Sequence, residues 1–144
     1  MRHALDEARG AAERGEVPVG AVIVSPEGKI IAGAGNQTRA TNDPTAHAEM
    51  QVIRAACARL GRERLTGHDL YVTLEPCPMC AMAISAARIR RLYFAAADPK
   101  SGGILQGPRI FTHPQAHHVP EVYDGIGAQD SEELLRAFFV SRRG

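Results

Sequence analysis

The sequence has no tryptophan, and phenylalanine and tyrosine together make up only 5% of its 144 residues. The interior must therefore be filled by alanine, valine, isoleucine and leucine, and a hydrophobic share of 44% is ordinary for a globular fold. Three cysteines are too few, and odd in number, for a disulfide framework, which argues for a reducing compartment. No stretch approaches the ~18 consecutive apolar residues of a membrane span. The opening "MRHALDEARGAAERGE" is charged throughout and lacks the apolar centre of a signal peptide. An excess of charge of one sign is also missing. The formal net charge is +1, so composition does not announce a polyanionic partner. These absences leave one soluble domain over residues 1–144, expected in the cytoplasm. Lysine is scarce: Lys29 and Lys100 stand against fifteen arginines. A GC-rich genome produces such a ratio, but arginine also suits bidentate phosphate contact. Arg88, Arg90 and Arg91, with Arg142 and Arg143, are then either solvated surface or phosphate ligands.

Hydrophobic spacing sets out the elements. Met1, Ala4, Leu5, Ala8, Ala11 and Ala12 predict an amphipathic helix over 1–14. "VGAVIVS" (19–25) and "KIIAGAG" (29–35) flank the turn signal "PEG" and predict a hairpin, with 36–44 as loop. Ala46, Met50, Ile53, Cys57 and Leu60 trace a second helix, with Asp43 as its cap and Pro44 at its first position. A strand over 69–75, a helix over 78–88 and a strand over 90–97 follow. Residues 98–117 carry turns without periodicity, and 118–126 reads as a last strand weakened by Pro120. A closing helix takes Asp130 as cap, with Glu133 three residues on, and Leu134, Leu135, Phe138 and Phe139 as its buried stripe. Strands alternating with helices after an opening hairpin predict an α/β fold, a mixed sheet covered on both faces.

Two short motifs carry chemistry. In "TAHAEM", His47 and Glu49 stand among small residues. In "EPCPMC", Cys77 and Cys80 form a C-x-x-C at a strand-to-helix transition, a pattern open to redox chemistry, metal binding or coincidence. A helix N-terminus favours thiolates, the form a zinc ion takes as ligand. Two positions on a helix differ by about 200°, so His47 and Glu49 share a site only at the first turn. The alanines on either side keep that helix end uncrowded. Three protein ligands leave a position for water, as in catalytic zinc, whereas structural zinc takes four. Cys57, the nearest further thiol in the sequence, lies ten residues beyond His47 on the same helix, about 15 Å along its axis, and is out of reach. His113 and His117 form H-x3-H, but the gap from Cys80 is far longer than finger-type spacing allows.

"HAE" followed by "PCPMC" resembles the H-x-E…P-C-x-x-C signature of the zinc-dependent cytidine/deoxycytidylate deaminase superfamily. Within it, "EVPVGAVIV", "GNQTRATNDPTAHAEM", "LYVTLEPCPMCAMAI", "ARIRRLYFAAADPKSGG" and "LLRAFF" are similar to bacterial tRNA-specific adenosine deaminases, over nearly the whole chain. The resemblance implies a cytidine-deaminase-like three-layer α/β/α sandwich with a five-stranded mixed sheet, in a homodimer. It implies that His47, Cys77 and Cys80 hold one Zn2+ with a water as fourth ligand, and that Glu49 shuttles protons. It also implies that Asn36 hydrogen-bonds the base, that the Ala48 backbone lies close to it, and that Asp98 contacts the sugar. Read from the residues alone, Asn36 is a turn residue and Asp98 caps a turn before Pro99. The implied reaction is conversion of adenosine to inosine in a tRNA anticodon stem-loop. The alternative keeps the chemistry on a free base such as guanine, cytosine or an aminated triazine, because "NDPTAHAE" and "EPCPMC" also look like guanine deaminases.

Overall fold

The computed structural model describes residues 1–143. It contains helix α1 (Arg2–Glu13), strands β1 (Gly20–Val24) and β2 (Ile30–Gly35), and helix α2 (Ala48–Leu60). These are followed by β3 (Asp69–Leu74), α3 (Pro78–Ala86), β4 (Arg91–Ala96), β5 (Glu121–Asp124) and α4 (Ala128–Arg143). The sheet order is β2-β1-β3-β4-β5. β1 runs antiparallel to both β2 and β3, whereas β3, β4 and β5 are mutually parallel. α1 and α4 pack together on one face, α2 and α3 on the other. This is the mixed five-stranded sandwich expected.

With so few aromatics, close approach replaces bulk. Ala4, Ala8 and Ala11 of α1 are fully buried against the sheet. A Cβ at Gly20 would collide with the Ala4 carbonyl and the Ala8 amide, so only glycine lets β1 pass this near to α1. On the opposite face Ile23, Val52, Leu70, Val72, Ile84, Leu92 and Phe94 form the main core between the sheet and α2/α3. Parallel strands buried on both faces read as apolar runs.

Several expected boundaries move. α2 starts at Ala48, not at Pro44, because Asp43 is engaged in a tight turn of its own. Its Oδ1 accepts the Thr45 N–H at 2.8 Å and the Thr45 hydroxyl at 2.7 Å. The buried seam of α2 is Ala48, Glu49, Val52 and Ala56, with the predicted Ile53, Cys57 and Leu60 half-buried at its margin. β5 begins only after Pro120, which has no N–H to give a ladder; the Glu121 N–H makes the first bond, to the Arg90 carbonyl. α4 starts before Asp130, which falls inside the first turn rather than at the cap. Phe138 is buried but Phe139 is 48% exposed, since adjacent helical residues lie 100° apart and only one faces the sheet. No described helix is long and apolar enough to cross a membrane.

Candidate active site

The parallel strands β3 and β4 end side by side at Leu74 and Ala96. Ligands of open α/β sheets bind outside such carboxyl ends. His47 is the N-cap of α2 and Cys77 the N-cap of α3, both in extended conformation, with Pro78 opening α3. Two helix N-termini, with their unpaired N–H groups and positive dipole ends, therefore converge on one spot.

His47, Cys77 and Cys80 meet there, their ligand atoms all within 4.8 Å of one another. His47 Nδ1 lies 3.6 Å from Cys77 Sγ and 3.5 Å from Cys80 Sγ. A tetrahedral zinc with Zn–S near 2.3 Å and Zn–N near 2.0–2.1 Å requires an N···S separation of about 3.5–3.6 Å. The donor set fits zinc. The hydrogen bond from Cys80 draws the Cys77 thiol down to about 4, and the same bond, with burial, pushes Cys80 up. Cys57 is elsewhere, half-buried on α2 with its thiol toward the Glu63 carbonyl at 3.7 Å. His113 turns to the Pro108 carbonyl at 2.7 Å. Among the described residues no other His/Cys/Asp/Glu group has metal-binding geometry.

Glu49, in the first turn of α2, is 4% exposed and lines the same cavity of about 150 Å³ as His47 and Cys77. Burial pushes its carboxyl up to about 7. A carboxyl poised near neutrality both accepts and returns a proton. Ala46 and Ala48 are 1% and 0% exposed, so the small residues around His47 fill a tight corner rather than leave an open helix end.

Asn36 and Asp98 line this cavity too. Asn36 Oδ1 accepts the Ala48 N–H at 2.9 Å, which commits the Ala48 amide to Asn36 and aligns the side-chain amide across the helix end. Ala48 is fully buried behind the cavity wall. Asp98 is a turn residue as well: its Oδ1 accepts the N–H groups of Lys100 at 3.2 Å and Ser101 at 3.0 Å.

The arginine triplet lies elsewhere. Arg90 and Arg91 sit at the amino end of β4, about 16 Å of strand away from the cavity at ~3.3 Å per residue. Arg90 is held by both oxygens of Asp69 at 3.0 Å, and Arg91 faces Glu121 at 3.5 Å. Arg88, in left-handed conformation, donates to the Ser85 carbonyl. Arg142 donates to the Gly15 carbonyl at 2.9 Å and lies over the Phe138 ring. The side chain of Arg143 lies outside the described residues.

Two buried carboxylates had no place in the sequence reading. Glu75, beside Cys77, lines the cavity and accepts four backbone N–H groups, from Asp98, Ile104, Leu105 and Gln106. Glu16 accepts those of Arg39 and Ala40. The signal for Glu75 was its position at the end of an apolar strand, where an unpaired charge is not tolerated.

With this geometry in hand, the sequence matches the profile of the cytidine and deoxycytidylate deaminase zinc-binding region over residues 1–96. The chain belongs to that family. It is 59% identical to a tRNA-specific adenosine deaminase of Agrobacterium fabrum, over 99% of this chain and 93% of that protein. A solved structure from studies of A-to-I editing by tRNA:A34 deaminases at the wobble position of transfer RNA superposes with a TM-score of 0.92. It shares 60% identity and covers 94% of this chain and 97% of its own. A guanine deaminase from Bacillus subtilis shares 44% identity, but over 67% of this chain and 61% of its own, with a TM-score of 0.63. The chain is a zinc-dependent hydrolytic deaminase.

Proposed function

We propose that this deaminase converts adenosine to inosine at the wobble position of a tRNA anticodon loop, in the cytoplasm and as a homodimer. The observation that carries the substrate is the 59–60% identity to tRNA adenosine deaminases from end to end, set against guanine deaminases that reach 44% over only 67% of the chain or match nearly all of it at only 22%. His47, Cys77 and Cys80 hold the zinc. When bound there, zinc supplies a Lewis acid that brings the pKa of water near neutrality. Glu49 takes one proton from the attacking water and passes it to the ring nitrogen beside the carbon under attack; it then takes the second from the hydroxyl now on that carbon and gives it to the amine, which leaves as ammonia as the C–N bond breaks and the carbonyl forms. The Asn36 amide, fixed through its oxygen by the Ala48 N–H, orients the base, and Asp98 faces the sugar.

A cleft of about 550 Å³ continues from the cavity, sharing Val17, Leu74, Asp98 and Ser101 with it and adding Lys100, Leu135 and Phe139. An apolar floor beside a cation suits the nucleotide next to the reacting one. A free base has no use for it.

An ammonia-release assay tests the substrate, offering an adenosine-containing anticodon stem-loop beside guanine, cytosine, adenine and aminated triazines. The stem-loop is expected to turn over, with binding that weakens as salt rises by a log–log slope near −0.7 per phosphate contact. Turnover of a free base alone overturns the substrate and leaves zinc and Glu49 in their roles. The dimer is expected in light scattering at micromolar concentration, supported by Met79 and Met82, which expose apolar surface on α3 at 37% and 39%. A monomer there refutes it.

A further inference from the structure

We infer that Glu75 is a positioning residue that selects the nucleotide by shaping the loop from Asp98 to Gln106, and takes no part in proton transfer. The inference rests on the nucleotide reading above for its substrate, but its structural basis is independent. Glu75 is 2% exposed at the carboxyl end of β3, and its own N–H continues the sheet to the Ala96 carbonyl at 2.8 Å. Its Oε1 accepts the Asp98 N–H at 3.0 Å. Its Oε2 accepts the N–H groups of Ile104, Leu105 and Gln106 at 3.1, 2.8 and 3.1 Å. One carboxylate thus gathers both ends of the loop that carries Asp98 and Ser101 into the cavity wall.

The loop is built around this charge. A Cβ at Gly102 would stand 2.6 Å from the Glu75 Cδ and 2.6 Å from the Asp98 carbonyl oxygen. Any side chain there forces the loop off the carboxylate. Glu75 stands two residues before Cys77, yet its oxygens are taken up by these loop N–H groups, and Glu49 and the His47/Cys77/Cys80 cluster receive none of them. The loop that Glu75 holds carries Asp98, the residue that the nucleotide reading sets against the sugar, into the cavity wall.

Glu75→Gln decides the matter, because it keeps the shape and replaces one acceptor oxygen by an NH2 donor. Whichever way the amide turns, at least one loop N–H then faces a donor. Two readouts are expected together. Hydrogen exchange of the 98–106 amides accelerates, and KM for the anticodon stem-loop rises roughly tenfold with kcat within about threefold and zinc content unchanged. Gly102→Ala displaces the same loop with Glu75 intact and is expected to reproduce both changes, so it carries the test if Glu75→Gln does not fold. Unchanged exchange, a freed loop with KM unmoved, or a fall in kcat at constant KM each overturn the inference. A wild-type protein inactive on the stem-loop refutes the substrate instead, and the exchange readout then decides the role of Glu75 alone.

Discussion

Replacing Glu49 by alanine is expected to lower kcat by at least ~10²–10⁴-fold, the usual cost of losing a general acid–base group. The upper part of that range is the better expectation, because in the proposed reaction one carboxyl serves the water, the ring nitrogen and the leaving amine in turn. Zinc content is expected to stay at one per chain, since Glu49 is outside the histidine–cysteine cluster. Alanine also empties a side-chain volume that is 4% exposed, so its loss of activity mixes chemistry with packing. Glu49→Gln removes that ambiguity: it preserves volume and hydrogen-bonding shape while abolishing the proton exchange. Both variants should fold, bind zinc and fail to turn over. Near-normal turnover in zinc-replete Glu49→Gln would refute the shuttle, whatever the alanine variant did.

The reach of sequence reasoning differed from element to element for physical reasons. Strands β1, β3 and β4 were legible because buried parallel and hairpin strands are short apolar runs bounded by turn residues. The start of α2 was not. Asp43 and Pro44 form a sound helix-opening pair by local rules, yet the Asp43 carboxylate serves Thr45 and the helix opens four residues past Pro44, at Ala48 after its His47 cap. The later start places His47 at the cap and Glu49 in the first turn, and so brings the two motif residues to one site. Arg88, Arg90 and Arg91 were left open between solvated surface and phosphate contact. Adjacent in sequence to a strand of the site, they lie at its far end, because chain proximity says nothing about which end of a strand carries the chemistry. Glu75 was overlooked because its partners are backbone N–H groups from twenty-three or more residues downstream, which leave no side-chain pattern to read.

Cys80→Ala is expected to lose zinc and thermal stability together. Cys80 is 0% exposed within α3, and its sulfur is one of three donors converging from two helix N-termini. Two remaining ligands do not make a tetrahedral zinc site. A metal that binds the folded chain alone stabilises it by about 2.7 kcal/mol when present at a hundred times its Kd, and that contribution disappears with the site. For a chain of this size the loss corresponds to a fall in Tm of about 5–10 °C. The small cavity left by the missing sulfur adds to the fall, so the variant alone does not separate metal from packing. Chelation does: stripping the wild-type protein should bring its Tm most of the way to that of Cys80→Ala, while the variant should not respond to chelator. Cys57→Ser supplies the control from the remaining thiol, half-buried on α2 and turned toward the Glu63 carbonyl. It should keep one zinc per chain and show the wild-type response to chelation. Stoichiometric zinc in Cys80→Ala, or its loss from Cys57→Ser, would overturn the assignment of the ligands.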